Sequence, residues 1–169
     1  MARVLIIGCG CRGLSLAGSL RQRGHAVRGT TRDPARLAEL EAAGIEAVLA
    51  DPDRIATIAP LFEHVTVACI LLGSAVGDEE KVRALHGSRL EMLLTKLVDT
   101  TVRGLIYEAR GTASVEALEG GAAQVRAVCE DSVIPHVLLD GDPAWSDVWL
   151  AATLDAVDRV LGAGVSAGL

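Results

Sequence analysis

Residues 3–32, RVLIIGCGCRGLSLAGSLRQRGHAVRGTTR, decide how this chain folds. The run Val4–Ile7 is continuous and apolar, which is typical of a strand buried on both faces of a parallel sheet. Gly8 ends the run, and leucine and alanine then recur at helical spacing over residues 14–20. A helix stop and a second strand follow within residues 24–31. The stretch therefore predicts a strand, a glycine turn, a helix and a second strand.

The glycine turn, GCGCRG at residues 8–13, fits the pattern G-x-G-x-x-G. In this pattern the first glycine permits a tight turn, the second lets the backbone approach a pyrophosphate, and the third lets the helix pack closely on the strand. The N–H groups at the helix start face the phosphates. The alternative is that these glycines serve only helix–strand packing. The strand before the turn and the helix after it favour dinucleotide binding.

The second strand ends in Thr30, Thr31 and Arg32. A carboxylate at this place would bind the ribose 2′-OH of NAD and repel a 2′-phosphate. Two hydroxyls and a guanidinium suit the added phosphate instead, so we expect NADP(H), with NAD(H) as the alternative. Asp33 follows at once, and its commoner role is to cap the helix that Pro34 begins.

Further strands alternate with helical patterns along the rest of the chain. They are expected at residues 45–50, 64–72, 104–107 and 134–139. This alternation predicts an α/β fold, a Rossmann-like doubly wound parallel sheet of about six strands with right-handed crossovers. Because 169 residues suffice for one such domain only, we assign residues 1–162 to it and residues 163–169 to a frayed tail.

Two predicted helices present apolar faces that could take part in assembly. Residues 90–98 carry leucines at a spacing that makes one apolar face, and the final helix carries tryptophan. We expect these faces to be buried against a second copy, giving a homo-oligomer, most simply a homodimer.

Gly120 and Gly121 are expected to separate two helical pieces, residues 115–118 and 122–129.

Composition and charge narrow the range of partners. The net charge of −6, without a basic stripe, disfavours nucleic acid and anionic membranes. No apolar run approaches the ~20 residues that span a bilayer, and the first strand leaves no room for a signal peptide, so we expect a cytoplasmic protein. The histidines and cysteines lack the spacing of a metal site. Cys9 and Cys11 are expected to fill the turn rather than to sense redox state.

Open α/β sheets bind ligands beyond the carboxyl ends of their strands. Asp51 follows the third strand, where it is placed to contact adenine, although Asp51-Pro52-Asp53 is equally a turn and helix cap. Small residues after the fourth strand either leave room for ribose and nicotinamide or form an ordinary Gly-Ser loop. We expect the cofactor to contact Gly8, Gly10, Cys11, Arg12, Gly13, Thr31, Arg32, Asp51, Leu72, Gly73 and Ser74.

The glycine turn, Gly24-His25-Ala26-Val27, Asp51, Gly73-Ser74 and residues 103–107 together resemble a known superfamily. They are similar to the nucleotide-binding half of atypical extended short-chain dehydrogenases, which include NAD-dependent epimerase/dehydratases and NmrA-like proteins. The resemblance implies a Rossmann domain that binds NAD(P). Catalytic members carry a tyrosine followed four residues later by a lysine, whose ammonium lowers the pKa of the phenol.

The chain departs from the superfamily at this catalytic pair. Its single tyrosine, Tyr107, is followed at that distance by Gly111, and its only lysines are Lys81 and Lys96. We also expect the C-terminal substrate lobe to be absent, because only about 30 residues follow the sixth strand. We therefore expect Tyr107 to be a strand residue with its hydroxyl at a wet edge rather than a catalytic acid.

Three functions fit these features. The first is an NADP(H)-responsive binding or regulatory protein, for which no catalytic residue is assigned. The second is an oxidoreductase or epimerase that uses a non-standard acid such as Glu108; Glu108 and Arg110 form either a polar pair toward substrate or a solvated salt bridge. The third is a nucleotide-sensing module like those that gate ion transport, and the lack of an acidic residue ending the second strand counts against it.

Overall fold

The computed structural model describes residues 1–166, along which strands and helices alternate. The strands are β1 (Arg3–Ile7), β2 (Ala26–Thr31), β3 (Glu46–Leu49), β4 (Val67–Ile70), β5 (Gly104–Glu108) and β6 (His136–Leu139). The helices are α1 (Cys11–Gln22), α2 (Leu37–Ala42), α3 (Ile55–Ile58), α4 (Glu79–Leu85), α5 (Ser88–Leu97), α6 (Val115–Asp131) and α7 (Ser146–Ser166). Short 3₁₀ turns precede α2 and follow α3, at Pro34–Arg36 and Ala59–Phe62.

The strands form one parallel sheet in the order β3-β2-β1-β4-β5-β6. This order confirms the predicted Rossmann-like sheet. The chain runs outward from β1 to β3 and then returns to pair β4 with the other side of β1. The loops after β1 and β4 consequently leave the sheet in opposite directions, and a crevice opens between them. Ile7 and Ile70 are paired at its base.

The core has two layers, one on each face of the sheet. Along β1, Val4 and Ile6 belong to the layer covered by α1 and α7, whereas Leu5 and Ile7 belong to the layer covered by α3, α5 and α6. All four side chains are fully buried, and each contributes about 1.5–3 kcal/mol through the hydrophobic effect. The continuous apolar run predicted this burial on both faces.

The leucine face of α5 packs inside the chain's own core. Leu90, Leu93, Leu94 and Leu97 are almost fully buried in the core layer that also contains Phe62. The expectation that this face meets a second copy is therefore wrong, because the face is already covered.

Helix α6 runs without interruption through Gly120 and Gly121, so the expected break there is wrong. Gly121 faces the Tyr107 hydroxyl, and a Cβ at this position would overlap it. Close helix–strand packing explains this glycine, while Gly120 is exposed and meets nothing. Helix propensity alone does not distinguish these two roles.

The final helix is longer than the sequence pattern suggested. Helix α7 continues through Ser166, so residues 163–166 are helical where a frayed tail was expected. Residues 167–169, the rest of that expected tail, lie outside the described residues.

Candidate dinucleotide-binding site

The glycine turn between β1 and α1 is held against the end of β2. Gly8 has a φ of 84°, and a Cβ there would lie 2.7 Å from the Leu71 carbonyl oxygen, so only glycine fits. The Gly8 N–H donates to Thr30 Oγ1 at 3.1 Å, and the Cys9 N–H donates to the Thr30 carbonyl at 2.9 Å. Thr30 therefore fixes the turn rather than offering its side chain to a ligand.

The third glycine of the motif allows α1 to approach β1 closely. A Cβ on Gly13 would lie 3.3 Å from both Cys9 Sγ and Ile6 Cγ2. Cys9 fills the space between Gly13 and Gly29, and burial raises the pKa of its thiol to about 11. Cys9 is therefore a neutral filler of the turn, as expected, whereas Cys11 is exposed.

A cavity of about 530 Å³ lies over the crevice at the carboxyl ends of the strands. Every predicted cofactor contact except Asp51 and Gly73 lines it. The lining is Gly8, Cys9, Gly10, Cys11, Arg12, Gly13, Thr30, Thr31, Arg32, Arg36, Ala50, Pro52, Leu71, Leu72, Ser74, Ala75, Val76 and Leu85. The structure thus brings together residues from four loops that are far apart in the sequence.

Asp51 is engaged in a turn beside the cavity. Its carboxylate accepts the Asp53 N–H at 3.0 Å, and its own N–H donates to Thr57 Oγ1 at 2.9 Å. Its neighbours Ala50 and Pro52 line the cavity instead. The capping alternative for Asp51 accounts for these contacts, and an adenine contact remains a prediction.

The cavity wall is cationic although the chain as a whole is acidic. Arg12, Arg32 and Arg36 line it, and the described lining contains no aspartate or glutamate. Asp33 does not line the cavity. Its carboxylate accepts the Ala35 N–H at 2.9 Å and caps the helical turn, as predicted. A wall of this charge suits a polyanionic ligand.

Arg36 is a site residue that the sequence reasoning missed. Its Nη1 lies 4.0 Å from the position of a Cβ on Gly10, and its Nε pairs with Glu39 at 3.3 Å. Arg32 reaches across the mouth of the cavity, where its Nη2 donates to the Val76 carbonyl at 3.3 Å. The i, i+4 spacing of the two arginines on either side of the Asp33-Pro34 cap was the available signal.

Glu108 pairs with Arg12 rather than with Arg110. Arg12 Nη2 lies 3.0 Å from both carboxylate oxygens of Glu108, and the Gly73 N–H donates to Oε1 at 2.9 Å. Glu108 is 1% exposed, and Arg110 pairs with Asp142 on the surface. Both sequence interpretations of a Glu108–Arg110 pair are therefore wrong. The parallel register of β5 and β6 explains the difference, because it pairs Glu108 with Leu139 and keeps Glu108 inside the sheet.

The environment of Glu108 pulls its pKa in two directions. Burial raises the pKa of the carboxyl, and the Arg12 charge and the hydrogen bonds from Arg12 and Gly73 oppose that rise. Trp149 adds to this cluster, since its ring lies 5.3 Å from Arg12 Cζ and its indole also lowers the pKa of Glu108. The indole N–H nevertheless has no partner at hydrogen-bond distance among the described residues. Arg12 thus separates the cavity from a buried carboxylate.

Tyr107 is fully buried, so the expectation of a wet edge is wrong. His86 Nε2 lies 3.0 Å from the Leu72 carbonyl, which can only accept, so Nε2 carries the proton. His86 Nδ1 then accepts the Tyr107 hydroxyl at 2.5 Å. Burial and the nearby Glu108 charge raise the pKa of Tyr107. The phenol is a structural donor beneath the cavity, and no lysine ammonium assists it.

The His86–Tyr107 contact predicts acid-sensitive stability. Burial lowers the pKa of His86 below its ordinary value of 6.5. As the pH falls below 6.5 the unfolded chain takes up the proton first, so the free energy of unfolding decreases. We expect His86→Gln to cost about 1 kcal/mol at neutral pH and to flatten this acid dependence.

The measurement is urea denaturation from pH 8 to pH 5, with His64→Gln as the control because His64 is exposed. An acid dependence that is unchanged in the His86 variant would contradict the assignment.

A family model described as the TrkA-N domain matches residues 4–98, more than half of the chain. The chain belongs to the TrkA-N domain family. The matched segment contains the glycine turn, both cavity arginines after β2 and the loop after β4. No curated protein sequence matches the chain.

Solved structures share the fold of this TrkA-N domain. A short-chain dehydrogenase/reductase superfamily protein from Agrobacterium tumefaciens, solved with bound NAD, has a TM-score of 0.68 and 16% identity over 80% of this chain and 48% of that chain. UDP-glucuronic acid 4-epimerase from Bacillus cereus in complex with NAD has a TM-score of 0.67 and 16% identity over 83% and 56%. BdcA from E. coli has a TM-score of 0.71 and 13% identity over 90% and 88%.

The TrkA-N domain spans about half the length of the first two of these structures. The resemblance to the dehydrogenase and epimerase superfamily is thus confirmed for the fold. By fold and family the chain is a Rossmann-type dinucleotide-binding domain. Within residues 1–166, no helix is both long and apolar enough to cross a membrane. No group of three or more His, Cys, Asp or Glu side chains gathers as a metal site in the same part.

Proposed function

We propose that this domain, residues 1–162, binds NADP(H) in preference to NAD(H) and acts as a cofactor-binding or regulatory protein in the cytoplasm. The observation that carries the proposal is the cavity wall, which presents Arg12, Arg32 and Arg36 and no carboxylate among its described residues. NADP(H) differs from NAD(H) only by a phosphate on the adenosine ribose, so cations beside the end of β2 favour it.

Each part of the cofactor has a matching part of the cavity. The amides at the start of α1 suit the pyrophosphate, because the helix N-terminus attracts anions. Arg32 and Arg36 flank the end of β2 and suit the 2′-phosphate through charge-assisted hydrogen bonds. Leu72 and Ser74, after β4, suit the nicotinamide half.

The geometry favours binding over catalysis. Tyr107 is buried and bonded to His86, and Gly111 stands where a lysine is needed. Glu108, the acid of the oxidoreductase alternative, is 1% exposed and lies behind Arg12. It would reach a substrate only if Arg12 moved away. A domain that binds a cofactor but presents no general acid to it is suited to signalling the bound state of the cofactor to a partner protein.

We expect Arg36→Ala to weaken NADPH binding about 10- to 100-fold, the worth of one or two charge-assisted hydrogen bonds, and to change NADH binding by less than about threefold. The same selective loss is expected for Arg32→Ala. Isothermal titration calorimetry of each variant with both cofactors measures this. Arg126→Ala serves as the matched control, because Arg126 is exposed on α6, away from the cavity.

Two outcomes would overturn the proposal. NADH binding more tightly than NADPH to the wild-type protein would overturn the cofactor preference, and failure of either cofactor to raise the melting temperature would overturn cofactor binding altogether. An assay of hydride transfer from NADPH to a panel of carbonyl compounds tests whether the protein is an enzyme. Binding without hydride transfer is the expected result, whereas turnover that Glu108→Ala abolishes would establish the oxidoreductase alternative.

A further inference from the structure

Arg12 belongs at once to the dinucleotide cavity and to a buried ion pair. It lines the cavity from the first turn of α1, and its Nη2 lies 3.0 Å from both carboxylate oxygens of Glu108. The Arg12 side chain is 30% exposed, whereas that of Glu108 is 1% exposed. The same guanidinium is therefore within reach of a ligand in the cavity and of a carboxylate behind it.

The Arg12–Glu108 pair leaves hydrogen-bond donors unused. Strong arginine–carboxylate pairs use two nitrogens in parallel, but here the single atom Nη2 contacts both oxygens. Arg12 Nε is buried and has no partner among the described residues. The indole N–H of Trp149, whose ring lies 5.3 Å from Arg12 Cζ, is buried and unpartnered in the same sense. Because the pair is imperfect, an anionic ligand can compete with Glu108 for Arg12.

Among the described residues, Arg12 is the one cation that opposes the rise in the pKa of Glu108 caused by burial. Without Arg12, Glu108 keeps the Gly73 N–H at 2.9 Å and the nearby Trp149 indole, and neither group carries a charge. A buried carboxylate without a cation is neutralised by a proton. The other titratable groups around this end of β5 are the buried Tyr107 phenol with its partner His86, the surface pair Arg110–Asp142 and the exposed Asp140.

We propose that a dinucleotide bound in the cavity competes with Glu108 for Arg12, and that Glu108 takes up one proton from the solvent when Arg12 turns to the phosphates. The inference rests on the proposed cofactor binding and adds a means of regulation to it. Charge is balanced, because the cation moves from one anion to another and the proton neutralises the carboxylate left behind. Trp149 loses the guanidinium from its ring in the same step, so the change reaches the first turn of α7.

The coupling has a definite sign. Since Arg12 opposes the rise in the pKa of Glu108, this pKa is higher in the cofactor-bound protein than in the free protein. Binding therefore takes up a proton at pH values between the two, and the affinity for the cofactor falls as the pH rises through this window. The proposed regulatory domain thus binds its cofactor more tightly in acid than in base.

Isothermal titration calorimetry of the full chain with NADP⁺ at pH 6, 7 and 8 tests the proton uptake. At each pH, two buffers of different ionisation enthalpy give the number of protons taken up on binding. At the pH of maximum uptake, the wild-type protein is expected to take up about 0.5–1 proton more than Glu108→Gln. The variant is expected to bind about tenfold more tightly at pH 8, because Arg12 no longer has a competing anion. Glu119→Gln, the same change at an exposed carboxylate of α6, should match the wild-type protein.

The emission of Trp149 tests whether Arg12 moves. Trp145→Phe leaves Trp149 as the single tryptophan. Saturation with NADP⁺ should change its emission, because the guanidinium leaves its ring. The change should be at least about threefold smaller in Trp145→Phe/Glu108→Gln, where Arg12 is already free to turn away. Direct quenching by the ligand would affect both proteins equally.

Three results would overturn the proposal. These are a wild-type protein that takes up no proton at any of the three pH values, equal proton numbers in the wild-type protein and Glu108→Gln, and equal emission changes in the two single-tryptophan proteins. Far-UV circular dichroism verifies that every variant is folded. Absence of NADP⁺ binding would instead overturn the proposed function. Inorganic pyrophosphate, titrated in the same way, would then show whether an anion takes Arg12, and its failure to bind or to change the proton number would overturn this proposal too.

Discussion

Replacing Gly121 by alanine is expected to lower the free energy of unfolding by about 1–2 kcal/mol, whereas the same change at Gly120 is expected to raise it by about 0.5–1 kcal/mol. The two glycines are adjacent in the middle of helix α6 and share the same helix propensity. The expected difference therefore measures packing alone.

The packing of Gly121 is dictated by Tyr107. A Cβ on Gly121 would overlap the Tyr107 hydroxyl and would lie 2.8 Å from Cζ and 3.2 Å from the His86 carbonyl oxygen. Tyr107 has little freedom to withdraw, because it is fully buried and its hydroxyl is bonded to His86. Overfilling a core with one methyl group typically costs 1–3 kcal/mol, which outweighs the gain in helix propensity. A Cβ on Gly120 would meet nothing within 4 Å.

Urea denaturation followed by circular dichroism gives both free energies. A second substitution identifies the clash: in a Tyr107→Phe background the missing hydroxyl should make Gly121→Ala less costly by about 1 kcal/mol. If alanine at the two positions gave equal stabilities, the close approach of α6 to β5 would be wrong. If the cost of Gly121→Ala were the same in both backgrounds, the clash would lie elsewhere.

The sequence was sufficient to predict the sheet and most of the residues that line the cavity at its edge, because those features follow from local pattern. Val4–Ile7 has the composition of a doubly buried strand, and the glycines at residues 8–13 have positions that only a tight strand–helix turn requires. In a parallel sheet the loops after successive strands meet at one edge. The cavity lining was therefore predictable once the strands were placed.

The buried polar contacts were not predictable in the same way. Arg12 and Glu108 are separated by 96 residues, and their meeting depends on the register of β4, β5 and the glycine turn. Periodicity places Tyr107 in a strand, but whether its hydroxyl meets water or His86 depends on how the turn between α4 and α5, which carries His86, packs against β5. These contacts are set by packing between elements, about which a single sequence carries little signal.

The Arg12–Glu108 pair is expected to produce an asymmetric effect on stability. Arg12→Ala should lower the free energy of unfolding by about 3 kcal/mol at neutral pH, because it leaves a buried carboxylate without its cation. Glu108→Gln should cost only about 1 kcal/mol. The amide still accepts the Gly73 N–H, and Arg12, which is 30% exposed, is free to turn toward the solvent of the cavity.

The pH dependence of Arg12→Ala distinguishes a lost charge partner from lost packing on Trp149. Burial already raises the pKa of Glu108, and Arg12 opposes that rise, so removing Arg12 raises the pKa further. The folded variant then holds a proton that the unfolded chain releases. Stability should therefore fall as the pH rises from the unfolded value toward the folded one. The variant is expected to lose more stability at pH 8 than at pH 5.

Urea denaturation at pH 5 and pH 8 measures the free energy of unfolding. It is applied to both single variants and to the double variant Arg12→Ala/Glu108→Gln. The double variant should regain most of the stability that Arg12→Ala loses at pH 8, because a neutral amide needs no cation. Arg126→Ala, an exposed arginine, should change neither value. If the loss in Arg12→Ala were independent of pH and persisted in the double variant, Arg12 would stabilise the domain through Trp149 alone. Glu108 would then already be protonated in the native protein, and the wall of the cavity would carry the full charge of Arg12 toward its ligand.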